Sequence, residues 1–311
     1  MASGARKPAQ ACSPCYRGRF APSPTGPLHF GSLVAALASF LDARAHQGQW
    51  RVRIEDIDPP REEPGATAAI LKSLEAHHLF WDGDLLYQSQ RHDAYHQALH
   101  TLSSQGLSYF CTCSRQDLQT SSTQSIYNGH CRHLHLPASR LQQPAAIRLN
   151  VERVLLQLHL PSVIAFDDLI QGTQQQNLLS EVGDFVIHRK DELFAYQLAV
   201  VVDDIFQGIT HVIRGADLLD STARQLLLFH LLNAPVPVYG HVPLVMNQEG
   251  QKLSKQNRAP ALDDHSPAKN IFQALRFLNQ SPPATLEHEP LDNILNWAID
   301  HWKITTTSPE S

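Results

Sequence analysis

Arg19-Phe20-Ala21-Pro22-Ser23-Pro24-Thr25-Gly26-Pro27-Leu28-His29-Phe30-Gly31-Ser32 is the stretch that decides the fold. Pro22, Pro24 and Pro27 exclude helix from its middle, because proline lacks an N–H and clashes with the preceding turn. Before the loop, Arg17–Ala21 reads as a short strand. From His29 the pattern becomes helical: Leu33, Ala36, Leu37, Phe40 and Leu41 share one face. Gly48 supplies the stop. Trp50–Ile54 then alternates like a strand and ends in the acidic run Glu55-Asp56-Ile57-Asp58. Strand, loop, helix, strand is a βαβ unit, which implies a parallel sheet. The loop delivers a helix N-terminus to the end of the first strand. Free N–H groups and a partial positive charge make such a terminus a phosphate site. Gly31 leaves room for a flat base against the backbone. His29 can donate to a phosphate oxygen as charge moves onto a leaving pyrophosphate.

Outward from this unit, Ala66–His78 and Ala94–Leu102 continue as helices. From Leu107 to Glu192 the α/β rhythm breaks. That stretch holds a cysteine cluster, a polar Gln/Ser/Thr run and short strand-like pieces at Ala146–Val151 and Val163–Phe166. The rhythm resumes with Ala195–Asp204, a strand at His211–Arg214, a helix through Asp220–Leu232 and a strand at His241–Met246. Two amphipathic helices close the chain, around Ala268–Leu278 and Leu291–Trp302. The expected organisation is a disordered tail at 1–16 and the first half of an α/β domain at 17–106. An α+β insertion follows at 107–192, the second half of the domain at 193–265, and a helical segment at 266–311.

The chain has 311 residues, 42% hydrophobic and 18% charged, a globular composition. Its net charge of −5 excludes a wholesale basic coat for nucleic acid. Any contact with RNA must use a local basic face and be salt-sensitive. The polar N-terminus has no secretory h-region, and the apolar stretches at Leu33–Leu41 and Leu198–Val202 are too short to span a bilayer. A cytoplasmic protein is expected.

Two further strings carry chemistry. Lys252-Leu253-Ser254-Lys255-Gln256 follows a turn and puts two lysines in a polar loop. Such a loop can close over a triphosphate and neutralise it in the transition state. Cys111-Thr112-Cys113 with Cys131 brings three thiols into a short stretch, which suits zinc and its four tetrahedral ligands. Tyr127, His130, His133 and His135 compete for the fourth position, and general chemistry favours a histidine. Cys12 and Cys15 form a second C-x-x-C in the tail without a partner pair.

The first and last strings together, in this order, resemble the class I aminoacyl-tRNA synthetases. His29-Phe30-Gly31-Ser32 stands where that class has His-Ile-Gly-His, and Lys252–Gln256 where it has Lys-Met-Ser-Lys-Ser. The run from Arg19 to Gly26, followed by Leu28-His29, is similar to the glutamyl branch in particular. The resemblance covers about residues 17–265 and implies a Rossmann-like catalytic domain with an insertion. It implies catalytic roles for His29 and Lys255. It implies ATP contacts from His29, Gly31, Ser32, Lys252, Ser254 and Lys255, with magnesium accompanying the nucleotide. It implies a glutamate site at Arg19, Phe20, Ala21, Pro22, Ser23, Glu55, Tyr196 and Arg214. Glu55 would meet the α-ammonium, and either Arg19 or Arg214 would read the side-chain carboxylate.

Only about fifty residues follow the lysine loop, so no helical anticodon-binding domain is expected. With Cys111-x-Cys113 and Tyr127-x-x-x-Cys131, this resembles the short glutamyl-queuosine tRNA(Asp) synthetase family. The resemblance makes Tyr127 the fourth ligand of one structural zinc. It also implies tRNA-independent activation of L-glutamate by ATP, then transfer to the queuosine base at the wobble position of tRNA(Asp). The enzyme is expected to act as a monomer. The rival expectations are ordinary charging of tRNA(Glu), a non-catalytic tRNA-binding paralogue, and a class I-like nucleotidyltransferase that does not use glutamate.

Overall fold

The computed structural model describes residues 16–114, 116–117, 126–134, 139, 141, 143–246 and 260–306. The lysine loop (Lys252, Ser254, Lys255), His135, Cys12 and Cys15 lie outside the described residues. In chain order the elements are β1 (Arg17–Phe20), α1 (Phe30–Ala45), β2 (Gln49–Ile54), α2 (Ala66–Ala76), β3 (Leu86–Tyr87), α3 (His92–Ser104) and β4 (Ser108–Cys111). Next come β5 (Ala146–Leu149), α4 (Val151–Leu158), β6 (Val163–Asp168), β7 (Gly172–Asn177), β8 (Val186–His188) and α5 (Tyr196–Gln207). The chain ends with β9 (His211–Gly215), α6 (Thr222–Leu231), β10 (Val238–Val242), α7 (Pro267–Phe277) and α8 (Leu291–His301).

β1, β2 and β3 are parallel neighbours, with Arg17 opposite Gln49 and Arg53 opposite Leu86. β9, β10 and β6 are likewise parallel, and β7 runs antiparallel on the outer edge of β6. The two groups meet at β1 and β9. There the Thr210 N–H donates to the Arg17 carbonyl at 2.9 Å, and the Arg17 N–H donates to Thr210 Oγ1 at 2.9 Å. The order across the molecule is therefore β3-β2-β1-β9-β10-β6-β7. Winding reverses between β1 and β9, and at such a switch point an α/β sheet opens a crevice beyond its strand ends.

The helix after the opening loop begins at Phe30, as its periodicity predicts, but it is buried on more than one face. Val34, Ala38 and Ala43 are buried as fully as Leu33, Leu37 and Leu41. The reason is tertiary: Ile271, Phe272, Leu275, Ile294 and Leu295 of α7 and α8 join the α1 core. The C-terminal helices thus cap the same core that supports β1 and β2.

Four expectations are corrected. Tyr16, assigned to a tail, is buried and stacks on His211 with ring centroids 4.0 Å apart. Its phenol also donates to the buried Asp42 carboxylate. Gly48 permits this, because a Cβ there would sit 2.5 Å from the Tyr16 carbonyl. Strand Ala146–Val151 stops at Leu149: Asn150 caps a helix instead, its side chain accepting from the Arg153 N–H. The last parallel strand is Val238–Val242, three residues earlier than its predicted start. Segment 107–192 divides. β4, β5 and β8 make their own antiparallel sheet, whereas the β6–β7 hairpin extends the catalytic sheet beside β10.

Candidate active site

The crevice at the switch point is walled by strand ends. Arg19 and Phe20 end β1, Ala21–Ser23 follow it, Glu55 follows β2, Arg214 lies near the end of β9, and Tyr196 begins α5. A backbone bond from the Glu55 N–H to the Pro22 carbonyl, 3.0 Å, ties the first two walls together. The enclosed cavity measures about 400 Å³. Arg19, Phe20, Ala21, Ser23, Glu55, Tyr196 and Arg214 all line it, so the structure brings together every expected glutamate residue except Pro22. Arg61 and Asp217 complete its rim.

Beneath the cavity lies a buried charge cluster. Asp204 receives Arg53 at 2.8 Å and Arg19 at 3.3 Å, and Arg53 also reaches Glu55 at 3.3 Å. Burial alone would push the Asp204 carboxyl up, but the two guanidinium groups overcome it and hold it below the usual carboxylate range. At Glu55 burial wins: its carboxyl is pushed up, and Arg53 and Arg19 offset only part of that. Asp203 anchors a second group, receiving Tyr95 Oη at 2.6 Å, Gln88 Nε2 at 2.9 Å and Arg91 at 3.1 Å.

Arg214 is held differently. Its guanidinium donates to Gln225 Oε1 (2.8 Å), Thr222 Oγ1 (2.9 Å), the Leu218 carbonyl (3.2 Å) and His241 Nε2 (2.9 Å). Tyr196 Oη stands 3.5 Å away. These partners are all neutral. His241 accepts from Arg214 because its other nitrogen, Nδ1, donates to Asp168 Oδ2 at 2.5 Å. Asp168 is itself held by N–H groups of Ile170, Gln171 and His241, at 2.9 to 3.0 Å. Burial, abetted by the nearby Arg214 charge and only partly opposed by Asp168, lowers the His241 pKa, so the ring stays neutral.

A smaller chamber of about 190 Å³ adjoins the first through Ala35, Gly215 and Asp217. His29, Gly31 and Ser32 line one side, and Val242–Val245 the other. His29 is the N-cap of α1: its Nδ1 accepts the Ser32 N–H at 3.2 Å. That bond fixes the tautomer and leaves Nε2 as the protonated nitrogen. The five residues of the lysine loop string fall outside the described residues.

The sulfurs of Cys111, Cys113 and Cys131 lie within 4.8 Å of one another. Tyr127 Oη is 3.5 Å from both Cys111 Sγ and Cys113 Sγ and accepts the Cys131 N–H at 2.8 Å. Ligands on a tetrahedral zinc–sulfur site stand about 3.8 Å apart, so these four atoms fit such an ion. Neither His130 nor His133 belongs to the cluster. Arg148 lies over the Tyr127 ring, 4.0 Å from its centroid.

Sequence reasoning missed Arg53, Asp168, Asp204, Gln225 and His241. One signal was present. Asp203 and Asp204 sit in an otherwise apolar helix, and a carboxylate on a buried face needs a cation.

Among known proteins, a family model described as the catalytic domain of class I tRNA synthetases (E and Q) matches residues 16–278. A protein of Serratia proteamaculans named glutamyl-Q tRNA(Asp) synthetase is 53% identical over 289 residues, covering 93% of this chain and 91% of its own. The similarly named protein of Klebsiella pneumoniae is 52% identical over 288 residues, covering 93% and 94%. A solved glutamate-tRNA synthetase from Elizabethkingia anophelis superposes with a TM-score of 0.75 at 25% identity, over 93% of this chain. This chain spans 66% of that larger enzyme. A second such ligase, from Elizabethkingia meningosepticum and in complex with its amino acid, gives 0.74 at 25% identity, over 93% of this chain and 65% of its own. No described helix is long and apolar enough to cross a membrane. The chain belongs to the glutamyl-Q tRNA(Asp) synthetases, within the class I tRNA synthetases of the E and Q type.

Proposed function

We infer that this protein activates L-glutamate with ATP and transfers the glutamyl group to the queuosine base of tRNA(Asp). The observation that carries the reading is Arg214, a buried guanidinium with neutral partners at the wall of a cavity sized for an amino acid. Arg19 and Arg53 are balanced by Asp204 and Glu55, two charges against two. Arg214 has no carboxylate bonded to it: the buried Asp168 reaches it only through neutral His241. The side-chain carboxylate of L-glutamate would be the direct counter-charge. Buried charge is tolerated when it is paired. On this reading Arg214 takes the side-chain carboxylate, Glu55 the α-ammonium, and Arg19 supports the wall through Asp204. Tyr196 and the Phe20–Ser23 backbone close around the ligand.

In the first step an oxygen of the glutamate α-carboxylate bonds to the α-phosphorus of ATP. The bond to the bridging oxygen breaks, and pyrophosphate leaves with the electron pair and its magnesium. His29 donates to the phosphate from Nε2, while Gly31 and Ser32 present the start of α1. Lys252, Ser254 and Lys255 are assigned to the triphosphate from their sequence string. Catalysis is then positioning and charge neutralisation. In the second step a hydroxyl oxygen of the base bonds to the acyl carbon, and the mixed-anhydride bond breaks. AMP leaves and takes up the hydroxyl proton on its phosphate. On this reading, as the family resemblance implies, activation proceeds without tRNA.

Zinc is the ion the cysteine site fits, with Cys111, Cys113, Cys131 and Tyr127 as ligands. Its role is structural, clamping β4 to the short helix at His130–Leu134. The protein is assigned to the cytoplasm as a monomer. The test is transfer of labelled glutamate to tRNA(Asp) with and without queuosine. Label that appears on tRNA(Glu) and not on queuosine-containing tRNA(Asp) would establish conventional charging instead.

A further inference from the structure

A second cavity of about 290 Å³ opens beside the first and shares Ser23, Glu55, Arg61 and Tyr196 with it. It shares no lining residue with the nucleotide chamber, which adjoins the first cavity through Ala35, Gly215 and Asp217. Anything bound there meets the first cavity across Ser23, Glu55, Arg61 and Tyr196.

Its lining has an unusual polarity. Gln88 is 1% exposed; its Nε2 is bound to Asp203, but its Oε1 has no hydrogen-bond partner. Glu62 Oε1 is also buried without a partner. Two residues that line one cavity thus each hold an unpaired acceptor, and an unpaired buried acceptor costs free energy until a ligand donor meets it. The charges lean the same way. Asp58 is paired to both Arg61 and Arg189, whereas Glu62 has no ion-pair partner among the described residues. Burial raises the Glu62 pKa, and the neighbouring Asp56 and Asp58 raise it further, so a cation at this carboxylate is favoured. Phe194 and Ile57 supply an apolar wall.

The fitting ligand is a small ring with several donors and a positive charge. The side chain of queuosine is such a group. It is a cyclopentene bearing two adjacent hydroxyls and a secondary amine that is protonated at neutral pH. We propose that this cavity binds the amino-cyclopentenediol of the acceptor base, with Gln88 Oε1 and Glu62 accepting from its hydroxyl and ammonium donors. The proposal rests on the transfer to queuosine inferred above, and it names the residues that select the acceptor. A hydroxyl held here faces the cavity that holds the glutamyl carbon.

The experiment compares wild type, Glu62→Gln and Gln88→Met in two assays: glutamate-dependent ATP–pyrophosphate exchange, and glutamate transfer to queuosine-containing tRNA(Asp). Exchange is expected within about two-fold of wild type, and this also certifies folding. The KM for the tRNA is expected to rise about ten-fold or more, as for the loss of a hydrogen bond to a charged group. Unchanged transfer in both variants overturns the proposal. A parallel fall of exchange and transfer also overturns it, because the residues would then serve glutamate activation. If wild type exchanges but never labels queuosine-containing tRNA(Asp), the transfer reading itself fails, a result distinct from normal transfer by the variants.

Discussion

Asp168→Asn tests how Arg214 is aimed. The substitution is nearly isosteric. The asparagine oxygen can still accept from the N–H groups of Ile170, Gln171 and His241, which now bind Asp168 Oδ1. Its NH2 replaces Oδ2 and points at His241 Nδ1, 2.5 Å away. A donor there forces the ring to the other tautomer. His241 Nε2 then carries a proton and opposes Arg214 Nε–H across 2.9 Å. One charge-assisted hydrogen bond is lost, worth about 1.5–3 kcal/mol. In affinity that is roughly ten- to more than a hundred-fold. Arg214 keeps Gln225 and Thr222, so the protein should stay folded. The assay is ATP–pyrophosphate exchange at varied glutamate and varied ATP. The KM for glutamate should rise by that factor, with the KM for ATP nearly unchanged. His241→Gln, whose amide oxygen can accept from Arg214, should recover part of the loss. Equal changes in both KM values, or none in the glutamate KM, would refute the positioning argument.

Three other outcomes are expected. Glu55 has a raised pKa and must be ionised to hold an ammonium, so glutamate binding should weaken as pH falls through a value above the usual carboxylate range. Glu55→Gln should bind weakly at all pH values, and a steep pH dependence surviving in that variant would assign the titration elsewhere. Tyr127→Phe removes the hydroxyl 3.5 Å from two sulfurs and should lower zinc affinity, read by competition with a chromogenic chelator; unchanged affinity would exclude Oη as a ligand. Leu37→Ala empties a fully buried site between the sheet and α7 and α8, and should cost about 2–5 kcal/mol in denaturant unfolding.

Much of the fold is legible along the chain because its signals are local. Proline at 22, 24 and 27, the spacing of Leu33, Leu37 and Leu41, and the alternation of Trp50–Ile54 each constrain neighbouring backbone. The same holds for the strand ends, which place Arg19, Glu55 and Arg214, whereas their selection as glutamate residues came from the family resemblance. What failed locally was β7, whose Gly172–Asn177 run of glutamines has no strand pattern. It is a strand because β6 offers it an edge to pair with. Tyr16 was misjudged because its burial depends on His211 and Asp42, both distant in sequence.

By itself the sequence determined the parallel α/β order, the loop that opens α1, the residue types at the strand ends and the three-cysteine cluster. Only the tertiary structure decided which arginine is bonded to a carboxylate, which atom stands beside the three sulfurs and which carbonyl and carboxylate oxygens are left unpaired in the residues lining the neighbouring cavity. The reason is physical. Pattern and propensity act through neighbours along the chain, whereas a charge takes its meaning from whatever folding packs around it. Asp204 neutralises Arg19 across a separation of 185 residues, and no spacing rule reaches that far.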